Sequence, residues 1–140
     1  MKDERRRMKD ELGKAGESEE AGAGAKPDLK PRTKAFALRI VRLYTALPNT
    51  TVAQVLGKQV LRSGTSIGAH YREASRARST AEFISKIELA LQELDETLYW
   101  LELLDEAGIV RSGQLANLCT EAEELISIFV SSVRTAKQSR

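Results

Sequence analysis

The sequence predicts an all-α fold: an antiparallel up-down-up-down four-helix bundle (33–140) behind a disordered N-terminal tail (1–32). Long runs rich in Ala, Leu, Glu and Arg dominate the chain. Apolar residues recur in them at spacings of three and four. Only three prolines interrupt the 140 residues, and the segments between turns are long enough for helices but show no alternating strand pattern.

The tail reads as a solvated arm. AGAGAK at Ala21–Lys26 is followed by Pro27 and Pro31, and Met1–Lys14 is charged with almost no apolar face. Met8 offers an alternative start, and Arg5–Arg7 a small basic cluster. The first helix is expected from Thr33 to Leu47, with Phe36, Ile40, Leu43, Tyr44 and Leu47 on one face and Pro48-Asn49 ending it. The second begins at Thr50 or Thr51, either able to cap the first turn, and reaches Arg76. Its seam is Leu56, Val60, Gly64, Ile67, Tyr71 and Ala74. The third follows Ser79, with Glu82 placed for a capping box, and stops at Gly108. Phe83, Ile87, Leu91, Leu94, Leu98 and Leu101 form its seam. The fourth is expected from Ser112 to Lys137 on Leu115, Leu118, Ala122, Leu125, Ile126, Phe129 and Val133.

Leu61–Ser79, LRSGTSIGAHYREASRARS, stands apart. Ser63, Gly64, Ser66 and Gly68 weaken a helix unless another backbone comes close. The same helix carries a basic stripe: Arg62, Arg72 and Arg76 fall within about 40° of Lys58, and Arg78 follows. Arg39 and Arg42 of the first helix extend it. These residues fit contact with phosphates.

Net charge is only +2, yet charge is segregated. Leu29–Ile87 holds 11 Lys or Arg against 2 Asp or Glu, whereas Glu88–Glu124 holds 1 against 10. Glu88, Asp95, Glu102 and Glu106 make an acidic stripe on the third helix. The two stripes can pair within a subunit or between subunits, or the arginines can grip an anionic partner. Leu89, Trp100 and Leu103 lie nearly opposite the third-helix seam, Trp100 being about 220° round from Ile87. Such a patch, anchored by Trp, marks an expected oligomer interface.

Little points to chemistry. A single cysteine, Cys119, on the fourth-helix seam reads as a small core residue and permits no intrachain disulfide. His70 is the only histidine; the chain lacks Glu-x-x-His pairs and enough His or Cys for zinc. Ser66 and His70, four apart, have hydrogen-bonding spacing, but structural use of Ser63, Thr65 and Ser66 outweighs a nucleophile. No phosphate-binding glycine loop appears. No apolar run reaches the length of a membrane span or a signal peptide, so a cytoplasmic protein without cofactor, metal or catalytic residues is expected.

LRSGTSIGAHYREASRA, then STAEFISKIELALQELDETLYWLELL, then EAEELISIF resemble the bacterial four-helix-bundle proteins first noticed in intervening sequences of 23S ribosomal RNA genes. The resemblance spans Thr33–Lys137. It implies an antiparallel bundle and, from some relatives, a ring-like homopentamer. It is also shared with accessory proteins of diversity-generating retroelements, in which a basic pentamer engages a reverse transcriptase and RNA. This chain is less basic than those proteins, and His70 stands where the family commonly has Asn. Residues and resemblance together predict a non-enzymatic homo-oligomeric scaffold that binds structured RNA or a nucleoprotein through the basic face of the second helix. The alternative is a protein-interaction module whose basic stripe meets acidic stripes of neighbouring subunits.

Overall fold

Four helices pack in sequence order in the computed structural model, which describes residues 28–139. They are α1 (Leu29–Ala46), α2 (Thr51–Ser75), α3 (Thr80–Glu106) and α4 (Ala116–Gln138). Each packs on the next, α2 against α3 most extensively, while α1 and α4 touch only narrowly. The antiparallel bundle is therefore as expected. The expected tail falls outside the described residues up to Pro27.

α1 begins at Leu29, four residues before the expected start. Asp28 caps it, its Oδ1 accepting from the Lys30 amide at 3.0 Å. Pro31 is tolerated because first-turn amides have no partner within the helix. The caps of α2 and α3 match expectation: Thr50 Oγ1 accepts from Ala53 N and Ser79 Oγ from Glu82 N. Glu82 returns its bond one residue early, to the amide of Arg78 rather than of Ser79.

Gly108, at φ +71°, ends α3. Its amide donates to Asp105 O, and that of Ile109 to Leu104 O, which satisfies two of the last carbonyls. α4 starts at Ala116 rather than Ser112. Gly113 adopts φ +78° and breaks the helical path in the preceding turn.

The core joins Phe36, Ile40 and Leu43 of α1, Val60 and Ile67 of α2, Ile87, Leu94, Leu101 and Leu104 of α3, and Leu118, Leu125 and Phe129 of α4. Tyr71 crosses the bundle to stack on Phe129, with ring centroids 5.8 Å apart. Its hydroxyl accepts from the Leu29 amide at 3.3 Å. On α3 the buried line runs through Ile84, Ile87, Leu94 and Leu101, so Phe83, Leu91 and Leu98 of the expected seam form its half-buried shoulders.

Of the small residues expected to allow close packing, Gly64 and Gly68 lie against α1, together with Gly57, whereas Ser63 turns to α3 and the Ser66 hydroxyl bonds back to its own helix. A Cβ on Gly64 would lie 2.7 Å from Ile40 Cγ1 and 2.9 Å from its Cγ2. One on Gly57 would lie 2.6 Å from Leu47 Cδ1, and one on Gly68 3.2 Å from Thr33 Oγ1. Ile40 is stiff at χ1 and fully buried, so it cannot swing away. Gly64→Ala should destabilise the fold by about 1–2 kcal/mol despite the gain in helix propensity. Gly57→Ala, whose methyl meets the mobile end of Leu47, should cost less. Urea unfolding measures both; a Gly64→Ala chain as stable as the parent would show the helices are not held this close.

Candidate interaction faces

The rotation of α2 decides where its charges go. Gly64 faces α1, and Ser63 lies about 100° to one side of it. Ser63 is buried against α3, with its hydroxyl 2.9 Å from that of Thr97. Lys58 and Arg72 lie about 80–120° to the other side, away from α3, while Arg76, the residue that caps α2, stands by the α2–α3 turn near Glu82 and Lys86. Among the described residues their side chains have no ion-pair or hydrogen-bond partner. Pairing of this stripe with α3 inside one subunit is thus confined to Arg62. Its guanidinium contacts Glu93 Oε2 at 3.2 Å and Glu96 Oε2 at 2.6 Å. These carboxylates hold it charged, above its ordinary range, the hydrogen bond to Glu96 first. Neither belongs to the expected acidic stripe.

α1 completes the basic face. Arg32 and Arg39 point to the α4 side: Arg32 Nη2 and Nε grip both oxygens of Glu121 at 2.6 and 2.9 Å, and Nη2 also reaches Glu124 at 2.7 Å. Arg39 is only 4% exposed, so it cannot extend the basic surface as its sequence position suggests. Lys30 and Lys34 lie on the opposite side of α1, next to the α2 stripe. The Arg32 clamp is not foreseen from sequence because that residue reads as tail; the signal is Glu121 and Glu124 on one face of α4.

Arg78 stands in the α2–α3 turn, lining a shallow recess with Glu73, Arg76, Glu82 and Lys86. Lys86 Nζ lies 2.7 Å from Glu73 Oε2, and this hydrogen bond holds the Glu73 carboxyl below its ordinary range. His70 Nδ1 lies 4.0 Å from Glu73 Oε1. The Ser66 hydroxyl donates to Arg62 O, not to His70, while Thr65 and Ser63 donate to Leu61 O and Gln59 O. No nucleophile and base meet among them.

Of the expected oligomer patch, Leu89 is 38% exposed, whereas Trp100 and Leu103 are half-buried. Trp100 packs against its own core, with Nε1 sealed from solvent and no hydrogen-bond acceptor, and Tyr99 edge-on at 5.1 Å. The patch therefore opens less apolar surface than a helical wheel suggests.

The acidic stripe gathers between α3 and α4. Cys119 of α4 is half-buried, and its thiol is pushed above the ordinary range, by burial first and then by Glu123, Glu102 and Asp105. Asp95, Glu102, Glu106 and Glu123 are exposed. Among the described residues, no three His, Cys, Asp or Glu converge as a metal site, and no helix is long and apolar enough to cross a membrane. A raised thiol pKa means less thiolate at neutral pH. Cys119 should thus alkylate with iodoacetamide several-fold more slowly than a peptide cysteine at pH 8, with its rate profile displaced to higher pH. Glu102→Gln/Asp105→Asn should move that profile part of the way back; an unmoved profile would mean the carboxylates do not act on the thiol.

A model of the 23S rRNA-intervening sequence protein family matches residues 28–131. Among solved structures, the chain is similar to a protein of unknown function from the S23 ribosomal protein family of Bacteroides thetaiotaomicron. The two share 42% identity over 76% of this chain and 98% of that one, with a TM-score of 0.71. No curated protein matches. The match over residues 28–131 and the shared sequence and helical fold place the chain in one group: it belongs to the 23S rRNA-intervening sequence protein family.

Proposed function

We propose that the chain is a non-enzymatic, homo-oligomeric cytoplasmic scaffold that holds structured RNA or a nucleoprotein against the outer face of α1 and α2. One observation carries the reading. From Leu29 to Arg72 there are eight Lys or Arg and no Asp or Glu. Lys30, Lys34, Lys58 and Arg72 of this run lie on one outer side of the packed α1 and α2. Arg76 and Arg78 continue it to the α2–α3 turn. Unpaired cations on a rigid helical surface suit a phosphate backbone, because each displaces condensed counterions without first breaking a protein ion pair. Family members in ring-like assemblies favour an oligomer, with Leu89, Trp100 and Leu103 as a candidate apolar contact.

Binding of a fluorescein-labelled RNA hairpin, followed by anisotropy, tests this. With about five phosphates neutralised, affinity should fall roughly 10²–10³-fold between 50 and 200 mM salt. Lys58→Glu/Arg72→Glu should weaken binding at least about tenfold at constant salt. Arg62→Ala should change it little, since Glu93 and Glu96 already neutralise that residue. Undiminished binding by Lys58→Glu/Arg72→Glu in a folded protein would remove the RNA reading.

A further inference from the structure

The recess at the α2–α3 turn has a volume of about 380 Å³ and is lined by the cations Arg76, Arg78 and Lys86 and the carboxylates Glu73 and Glu82. Both carboxylates are engaged by the protein itself. Lys86 Nζ lies 2.7 Å from Glu73 Oε2, and Glu82 Oε2 accepts from the Arg78 amide at 3.2 Å. The guanidiniums of Arg76 and Arg78 are exposed, and among the described residues they have no ion-pair or hydrogen-bond partner. Their backbone is fixed all the same. The Arg76 amide donates to Glu73 O at 3.2 Å, the Ala77 amide to Ala74 O at 3.0 Å, and Glu82 holds the amide of Arg78. Two planar forks thus stand on one pinned turn, on either side of Ala77. The first turn of α3 follows at once, and its amide dipoles add positive potential.

We infer that this recess takes a phosphomonoester, the terminal 5′-phosphate of an RNA strand that lies on the α1–α2 face. The inference rests on the RNA reading and adds to it the part of the strand that is recognised. A terminal phosphate presents three acceptor oxygens and carries about −1.5 to −2 charge at pH 7. An arginine fork bonds two such oxygens side by side, so two forks can share the three. A phosphate inside the strand carries a single charge and brings another phosphate on each side. In the recess one of those neighbours would meet Glu73 and Glu82, which repel it. A strand that ends there avoids that repulsion. Arg72, one helical turn before Arg76, leads from the recess onto the basic face, so a strand held by its end continues toward Lys34 and Lys58.

Two RNA hairpins of one sequence, labelled with fluorescein at the 3′ end, separate the end from the strand. One carries a 5′-phosphate and the other a 5′-hydroxyl. By anisotropy the parent should bind the phosphorylated hairpin about tenfold more tightly. Arg76→Ala/Arg78→Ala, at two exposed positions, should abolish the preference while the 5′-hydroxyl hairpin still binds. Lys58→Glu/Arg72→Glu should weaken both hairpins and keep their ratio. Circular dichroism confirms that each variant folds. Equal affinity of the parent for the two hairpins would overturn the inference and leave the RNA reading standing, whereas failure to bind either removes both. A preference that survives in Arg76→Ala/Arg78→Ala would place the phosphate elsewhere and overturn it too. Calorimetry with AMP distinguishes the other source of the same group: AMP bound by the parent while the hairpins bind alike would assign the recess to a free nucleotide instead of an RNA end.

Discussion

Everything on the outside of this bundle depends on how closely α1 approaches α2. Gly57, Gly64 and Gly68 give up helix propensity so that Tyr44, Leu47, Ile40 and Thr33 can lie almost on the α2 backbone. That contact fixes the rotation of α2 about its axis. Once Gly64 faces Ile40, Ser63 must face α3, and Lys58, Arg72 and Arg76 must face outward. A modest rotation would bury some of these charges and expose the apolar seam. Three residues without side chains thus set where the charged ones appear.

The α2–α3 contact holds the same rotation from the other side, by a different means. Ser63 and Thr97 meet as two hydroxyls in a buried interface, each also within hydrogen-bonding distance of a carbonyl four residues back. Their polar atoms are therefore satisfied without water. Small hydroxylated side chains allow a near approach that Leu or Met would prevent. Arg62, at the outer margin, closes on Glu93 and Glu96. It is more than half exposed, so this pair adds orientation more than stability. On the far side of the molecule, the narrow contact of α1 with α4 is bridged by Arg32 on Glu121 and filled by Tyr71 on Phe129.

Much of this was legible in the sequence, for physical reasons that also explain the failures. Periodicity locates helices well because burial repeats with the helical turn; Val60, Ile67, Leu94, Leu125 and Phe129 are buried as their spacing requires. Helix ends were harder, because Pro31 reads as a breaker when it can equally occupy a first turn, and Gly113 hides a break inside a run of good helix formers. The small-residue face of α2 was visible, but not its partner, since spacing gives a direction around one helix and never the identity of the neighbour. The same limit applies to charge. Arg62, Arg72 and Arg76 share one stripe, yet only Arg62 reaches α3, because its side chain sits at the edge of the stripe nearer that helix. Arg39 reads as surface by chemistry and is buried by geometry, as its angular place beside Phe36 and Leu43 demands.

The segregation of charge has an energetic consequence for the folded chain itself. Lys58, Arg72 and Arg76 on a common side repel one another, and so do Asp95, Glu102 and Glu106. In most helical surfaces opposite charges three or four residues apart relieve such repulsion, but the stretch from Leu29 to Arg72 contains no carboxylate to do so. The cations of α2 and the carboxylates of α3 are numerous, yet the rotation set by the glycines keeps them apart except at Arg62, while Glu73 and Lys86 pair with the signs reversed near the turn. The isolated subunit therefore holds unrelieved repulsion on two edges, screened only by salt. An anionic surface laid on the basic edge removes half of that cost. It leaves the repulsion among Asp95, Glu102 and Glu106 in place, because those carboxylates lie on the α3–α4 side and are relieved only by cations.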